Sequence, residues 1–197
     1  MNSEHQVFFS SLSQKKKINK ILEIGTFDGK NAFLMSKLFQ DSNIITLDLP
    51  EENKEFKKFY NRNNNADRDK FCKERDEILS KLSKIKFIKQ NSVLLINDQN
   101  KFDLIWVDGA HGNPVVSIDI LNAIRMINRD GYVLCDDIFI SKLAKQDNMY
   151  FSNASYDLIE VLKENNLIQV IYIYKRLQKN YNNFKNRRKF IAVVKIK

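Results

Sequence analysis

The stretch Ile21-Leu22-Glu23-Ile24-Gly25-Thr26-Phe27-Asp28-Gly29 decides the fold of this chain. It has the pattern of a short apolar strand that runs into a tight glycine turn, and apolar residues at helical spacing predict a helix over about 29–39. In α/β domains, a strand, a glycine turn and a helix in this order present backbone N–H groups and a carboxylate to a small ligand. The turn therefore predicts a ligand site early in the chain.

Further strand and helix patterns follow this first unit. Apolar runs predict strands at 20–24, 44–47, 86–88, 102–107, 132–135, 168–174 and 190–196, and helices are predicted near 52–60, 67–82, 93–96, 115–127 and 154–164. The last two strands have no helix between them, so we expect them to pair antiparallel. The pattern predicts an α/β fold with a doubly wound, seven-stranded, mostly parallel sheet that ends in a C-terminal antiparallel hairpin.

The composition fits one globular domain. The chain has 197 residues, of which 43% are hydrophobic, and this is enough to build a core. We expect a single domain over 1–197, with a short N-terminal extension at 1–19 and a polar helical insertion at 51–83. No apolar run is long enough to cross a bilayer, and no signal-peptide core is present. With Cys72 and Cys135 expected to be reduced, this predicts a cytoplasmic protein without a membrane partner.

The basic charge of the chain indicates a partner only weakly. The net charge of +9 is spread over the whole sequence, which favours nucleic-acid binding less than a cluster would. The densest cluster is 175–189, where aromatic residues alternate with Lys and Arg, as in proteins that bind single-stranded nucleic acid. A solvated hairpin loop is also usually charged, and this is the favoured interpretation. A third interpretation is that this cluster contacts an anionic small substrate.

Three kinds of ligand use a glycine turn after a first strand. A phosphate-binding P-loop needs G-x-x-x-x-G-K-[ST], but the spacing from Gly25 to Gly29 is one residue too short and Asn31 stands where the hydroxyl belongs. A dinucleotide turn needs G-x-G-x-x-G, and only two of those glycines are present. Glu23 before the turn would repel a pyrophosphate, whereas it suits the cationic ammonium and sulfonium groups of S-adenosylmethionine (SAM).

The residues that follow two further strands are consistent with SAM as the ligand. Asp48 follows the second strand and is placed to bind ribose hydroxyls, and Asn91 and Ser92 follow the third strand, where they could meet the adenine edge. The carboxyl ends of neighbouring parallel strands are where open α/β sheets bind ligands. Each match is weak alone, but the three together predict SAM as the cofactor.

A second group of polar residues follows the fourth and fifth strands. Asp108 and His111 come after one, and Asp136 and Asp137 come after the other. Three carboxylates held close together are unfavourable unless a cation neutralises them, and carboxylate oxygens suit Mg²⁺ or a similar hard ion. Such an ion would lower the pKa of a substrate hydroxyl, and His111 could then remove its proton.

From about residue 20 onward, the chain resembles the class I SAM-dependent methyltransferases, which have a Rossmann-like seven-stranded sheet with a reversed final hairpin. The resemblance implies that the cofactor is bound by the residues at the strand ends named above, together with the turn: Glu23, Gly25, Thr26, Gly29, Asp48, Asn91, Ser92 and Asp108.

The second group resembles the cation-dependent O-methyltransferases, such as the catechol and caffeoyl-CoA enzymes, and more closely their bacterial relatives that methylate sugars and natural products. This resemblance implies that Asp108, Asp136 and Asp137 bind the divalent cation and that His111, with Asp108, is catalytic in place of a lysine. Asp137 departs from the Asn common at the third metal position. The region before the first strand is also short, and that region shapes the substrate pocket in these families, so the acceptor cannot be carried over.

Several of these residues also have plain structural interpretations. Glu23 could form an internal ion pair, Asp136 and Asp137 could cap the next segment or belong to a turn, and His111 could be an ordinary loop histidine. We expect His5 to be structural or disordered, Trp106 to pack in the core, and Asp119 to be a solvated or helix-pairing residue.

Three hypotheses follow. The first is a metal-assisted O-methyltransferase that acts on a small-molecule hydroxyl. Chelation or Asp136→Asn should then inactivate the enzyme without loss of cofactor binding. The second is an RNA or protein methyltransferase that docks its substrate through 175–189, with salt-sensitive RNA binding that requires Arg187 and Arg188. The third is a cofactor-binding module without catalysis, for which no hydroxylated metabolite would be turned over. The sequence is also compatible with a homodimer.

Overall fold

The computed structural model describes residues 3–58, 62–140, 152–175 and 189–197. The strands are β1 Lys20–Ile24, β2 Asn43–Asp48, β3 Ile85–Lys89, β4 Phe102–Val107, β5 Ile127–Phe139, β6 Ile168–Tyr174 and β7 Lys189–Ile196. The helices are α1 Ser3–Lys15, α2 Lys30–Leu38, α3 Lys54–Lys58, α4 Asn65–Ser80, α5 Val115–Met126 and α6 Ala154–Glu164, and a 3₁₀ helix covers Ser92–Asn97.

The strands form one seven-stranded sheet in the order β3-β2-β1-β4-β5-β7-β6. β1 pairs in parallel with β2 and β4, and the same parallel pairing extends outward to β3 and β5. β7 lies antiparallel between β5 and β6. The predicted doubly wound, mostly parallel sheet with a C-terminal antiparallel hairpin is therefore confirmed.

β5 is much longer than the predicted strand at 132–135. Its pairing with β4 moves from Phe102↔Ile127 to Leu104↔Tyr132, so several β5 residues loop out between the two pairs. Gly131 allows this, because a Cβ there would lie 2.6 Å from the Ile127 side chain. Helix α5 ends at Met126, within one residue of its predicted end, and β5 begins at the next residue, so that Asp130-Gly131 belongs to β5.

Helices cover both faces of the sheet. One face packs under α5 and α6, and its core includes Ile105, Ile120 and Ile159. The other face packs under α1 and α2, where Phe9, Met35 and Trp106 are buried. Trp106 is a core residue, as expected.

The predicted polar helical insertion at 51–83 is packed against the sheet. Asn64 caps α4 by accepting hydrogen bonds from the N–H groups of Ala66 and Asp67. Arg75 of α4 is buried, pairs with Glu51 at 2.8 Å and lies 4.4 Å over the ring of Phe87 in β3. α4 is therefore attached to the sheet on the side of the glycine turn.

Within these described ranges, no helix is both long enough and apolar enough to span a membrane.

Candidate active site

The glycine turn is tied to both neighbouring strands. The N–H groups of Gly25 and Thr26 donate to the Leu47 carbonyl of β2 at 2.9 and 3.2 Å, and the N–H of Asp108 donates to the Ile24 carbonyl at 2.8 Å. Gly25 has φ of 101°, and a Cβ there would lie 2.4 Å from the Asp108 carbonyl oxygen. Only glycine fits, because the turn crosses directly over the backbone that follows β4.

Glu23 lies beneath this turn, with no solvent exposure. Its carboxylate accepts hydrogen bonds from Thr46 Oγ1 at 2.5 Å and from Asn31 Nδ2 at 2.7 Å, and Thr46 Oγ1 also lies 2.6 Å from Thr26 Oγ1. Burial raises the pKa of Glu23 to about 7 and outweighs these hydrogen bonds, which lower it. In this conformation Glu23 supports the turn from below, and both of its oxygens are already bonded within the protein.

Asp48 lies at the end of β2, beside the turn. Its two oxygens accept hydrogen bonds from the N–H groups of Phe27 at 2.9 Å and Leu49 at 2.8 Å. These backbone donors orient the carboxylate at the carboxyl edge of the sheet, where the sequence predicts ribose binding. The predicted adenine residues start the 3₁₀ helix: Asn91 Oδ1 caps it by accepting from the Val93 N–H, and Ser92 is nearly buried.

The second group of predicted residues also comes together. Asp136 and Asp137 lie inside β5, not after its end, at a bulge where the pairing with β7 shifts between Cys135 and Ile138. Asp137 has a left-handed φ of 54°, which Asp tolerates better than most residues. His111 Nε2 lies 3.8 Å from Asp108 Oδ1 and 3.9 Å from Asp137 Oδ2. The bulge therefore turns the β5 acids toward the loop after β4.

Two lysines that the sequence reasoning did not include contact these acids. Lys175 Nζ lies 2.7 Å from Asp136 Oδ1 and 2.6 Å from Asp137 Oδ1, and Lys189 Nζ bonds to Asp137 Oδ2. Both lysines border the basic segment, whose interior, residues 176–188, lies outside the described residues. Its ends point toward the acids, and no sequence signal beyond the cluster itself indicated this.

His5 also reaches the acids, from helix α1. Its Nε2 lies 3.2 Å from Asp136 Oδ1, without the alignment of a hydrogen bond, and its ring meets Trp106 edge-on at 4.8 Å. His5 is buried, as expected of a structural residue, but its contact with Asp136 was not predicted. The N-terminal segment is thus part of the wall behind the site.

The charges around the acids set their protonation. Burial alone would raise the pKa of Asp136, but the neighbouring His5 and the ammonium of Lys175 hold it well below its usual range. Burial and the charge of Asp136 would likewise raise the pKa of Asp137, and the two lysines outweigh them. The pKa of Asp108 is raised, first by burial and then by the charges of Asp136 and Asp137, although 35% of its side chain is exposed. Burial lowers the pKa of His111, so its imidazole is neutral at pH 7.

The predicted metal site does not have the geometry of one. Among the residues that the structure describes, no group of three or more His, Cys, Asp or Glu side chains could hold a metal ion. The oxygens of Asp136 and Asp137 that converge are bonded to Lys175 Nζ. Asp108, Asp136 and Asp137 are therefore neighbours, but in this arrangement they do not fit a divalent cation.

Asp119 differs from its expectation. It is buried in α5, not solvated, and burial raises its pKa to about 6. Its Oδ2 lies 3.6 Å from where a Cβ on Gly109 would stand. The spacing from Val116 and Ala123, both buried on the same helix, was the available sequence signal.

The model of a family described as a methyltransferase domain matches residues 22–138, which include the glycine turn and all the acids of the site. A search of curated proteins gave no match.

Solved structures share the fold at low sequence identity. TomG, an O-methyltransferase from Streptomyces achromogenes involved in tomaymycin synthesis and solved with SAM, is 12% identical, with a TM-score of 0.71 over 100% of this chain and 81% of that one. An O-methyltransferase from Bacillus cereus, solved with SAH, is 14% identical, with a TM-score of 0.69 over 100% and 82%. A ribosomal protein L11 methylase from Lactobacillus delbrueckii subsp. bulgaricus is 16% identical, with a TM-score of 0.62 over 100% and 78%. Two of these proteins are named as O-methyltransferases and one as a methylase of a ribosomal protein, so the shared fold does not identify the acceptor here.

Proposed function

The chain belongs to the methyltransferase-domain family, and on that premise we propose that it transfers the methyl group of SAM to a hydroxyl of a small molecule, with His111 as the general base. One observation carries the proposal: Gly25 packs against the backbone of Asp108, and His111 follows three residues later. A methyl donor held at the turn and a base after β4 would therefore share one cleft.

His111 is suited to accept a proton. Its imidazole is neutral at pH 7 because burial lowers its pKa, and the Asp137 carboxylate lies within 4 Å, where it would stabilise the imidazolium that forms. SAM, when bound, would supply the methyl group to the acceptor oxygen and keep the electron pair of the broken carbon–sulfur bond on its sulfur. His111 would take the proton of the acceptor hydroxyl. Such a transfer depends chiefly on how the two reactants are positioned.

The cofactor is assigned to the residues at the turn and the strand ends. Asp48 would accept the ribose hydroxyls, Asn91 and Ser92 would border the adenine, and Gly25 and Gly29 would let the backbone approach the methionine part. We assign Glu23 and Thr26 a supporting role, because their side chains bond to Thr46 beneath the turn. The SAM and SAH complexes of the two O-methyltransferases with this fold support the choice of cofactor.

A hydroxyl on a small molecule is the proposed acceptor. The neighbouring O-methyltransferases, one of them from natural-product synthesis, favour it. The alternative, docking of RNA or protein through 175–189, rests on residues mostly outside the described ranges, and the two described ends of that segment contact Asp136 and Asp137. No step above requires the divalent cation that the sequence predicted from the three acids.

The test is methyl transfer from labelled SAM to a panel of monosaccharides and catechols, together with SAM binding by calorimetry. With an accepted substrate, His111→Ala should lower turnover by about 100-fold or more, since general bases contribute factors of that order. SAM affinity should stay within about threefold of wild type, a change of under 1 kcal/mol.

His5→Gln is the matched control, because His5 is the other histidine beside these acids but lies behind Asp136, away from the turn. It should lower turnover much less than His111→Ala. Equal losses in the two variants would remove His111 from the role of base. A wild-type protein that does not bind SAM would end the proposal as a whole.

A further inference from the structure

The acids at this site are bridged by a buried ammonium group. Lys175 Nζ contacts one oxygen of Asp136 and one of Asp137 at 2.7 and 2.6 Å, and 5% of the lysine side chain is exposed. Distances this short are those of strong, charge-assisted hydrogen bonds. Lys175 thus sits between the two carboxylates as a bound cation would.

Lys189 completes the charge balance. It bonds to the second oxygen of Asp137, which Lys175 leaves free. The N–H of Lys175 donates to the Lys189 carbonyl at 2.9 Å, so the pairing of the two chain segments holds both lysines at the acids. Two ammonium groups therefore face the two acids of β5, and their charges cancel within the chain.

A divalent cation would disturb this balance. It would need the Asp136 and Asp137 oxygens that Lys175 occupies, since Mg²⁺ is bound through carboxylate oxygens at about 2.0–2.1 Å. If Lys175 stayed, two positive charges would be added to a neutral cluster. If it left, a buried ammonium would lose both of its partners, which is costly.

We propose that Lys175, supported by Lys189, is the built-in cation of this site and takes the place of the divalent metal that the three acids suggest. Its meaning for catalysis rests on the proposed function: Lys175 is a positioning residue that keeps Asp136 and Asp137 together and holds Asp137 beside His111. The protein then needs no metal for the assembly of its site.

The experiment is a titration of the full chain with Mn²⁺, followed by electron paramagnetic resonance. Wild type should show no saturable Mn²⁺ site. The substitution Lys175→Met frees the carboxylate oxygens, and this variant should bind one Mn²⁺ at least about tenfold more tightly than wild type, a gain in binding free energy of 1.4 kcal/mol or more. Lys163→Met is the matched control, since Lys163 is a half-exposed lysine that pairs with Glu160 on α6. It should behave as wild type. A purely structural lysine at position 175 would not produce a gain of metal binding when it is replaced.

One Mn²⁺ bound by wild type as tightly as by Lys175→Met would overturn the inference, and so would a folded Lys175→Met protein that binds no tighter than wild type. If that variant does not fold, wild type decides: a saturable Mn²⁺ site that Asp136→Asn removes overturns the inference, and the lack of such a site supports it. SAM binding, measured on the same wild-type sample, tests the proposed function separately. Loss of the proposed function therefore cannot be mistaken for failure of the lysine assignment.

Discussion

Gly25 is the residue at which the turn has least room for a side chain. A methyl group there would lie 2.4 Å from the Asp108 carbonyl oxygen, on a residue with φ of 101°. We expect Gly25→Ala to lower the free energy of unfolding by about 3 kcal/mol or more, from backbone strain and displacement of the Asp108 loop. Gly109→Ala is the control, because its Cβ would meet its nearest neighbour at 3.5 Å, an ordinary contact. Urea unfolding measures both, and equal losses would contradict the close crossing at Gly25.

Glu23 makes stability depend on pH. The ordinary pKa of a Glu side chain is 4.5, and in the folded chain the pKa of Glu23 is about 7. Between these two values the folded state holds a proton that the unfolded state has released. This contribution is therefore favourable at low pH and is lost as the pH rises from about 4.5 to 7. Glu23→Gln should reduce the loss by up to about 3 kcal/mol over that window.

The measurement is urea unfolding of wild type and variant at several pH values between 4 and 8. The control is Glu77→Gln, an exposed acid of α4 that takes no part in the Glu23 network; its curve should run parallel to wild type. Parallel curves for Glu23→Gln and wild type would show that Glu23 is not buried as described.

At this scale, the sequence indicated which residues meet but not how each is bonded. The sequence placed Glu23, Asp108, His111, Asp136 and Asp137 on one edge of the sheet because each lies at or just after the predicted carboxyl end of a strand. The lysines could not, since Lys175 is 39 residues from Asp136 and Lys189 is 52 residues from Asp137. Contacts at such separations depend on the register of β7 against β5, which side-chain patterns alone do not fix.

Among the elements, α1 is the one whose contribution was least visible beforehand. Phe9 is fully buried, and its ring lies 5.3 Å from that of Trp106 and 6.5 Å from that of Phe39. Phe9→Ala should cost about 3–5 kcal/mol of stability, the usual range for a buried Phe. Val7→Ala on the same helix should change stability by less than about 0.5 kcal/mol, because Val7 is 69% exposed.

Thermal or urea unfolding of the two α1 variants decides this prediction. A small loss for Phe9→Ala would mean that α1 does not stay packed over Trp106. His5 would then not be held beside Asp136, since the same helix carries both residues.

The elements of the sheet were predictable to different degrees. β1, β4 and β6 coincide with their predicted spans because each is a compact apolar run. β5 could not be bounded in this way, since its 13 residues include polar stretches at Asn128–Gly131 and at Asp136-Asp137. Those stretches lie in the strand because neighbouring strands pair on both sides of the two irregularities. The second irregularity is also what turns the acids toward His111.

For the whole molecule, the order of strands and helices along the chain explains why the fold was easier to predict than the site. Alternating strands and helices restrict a parallel sheet to few arrangements, and the absence of a helix between β6 and β7 indicates the hairpin. The site draws on α1, the β4 and β5 ends and both sides of the hairpin. Its charge balance is therefore a property of the completed tertiary structure rather than of any one segment.

The position of β7 in the sheet has a consequence for folding during synthesis on the ribosome. Of the strands described, it is the last to be synthesised, yet it lies between β5 and β6. Until it emerges, β6 has no neighbour to join, and Asp137 lacks the cation that Lys189 delivers. Until β7 is synthesised, the nascent chain therefore has an open sheet edge, and the acids of β5 lack the charge of Lys189. Chaperones would be needed most during this interval.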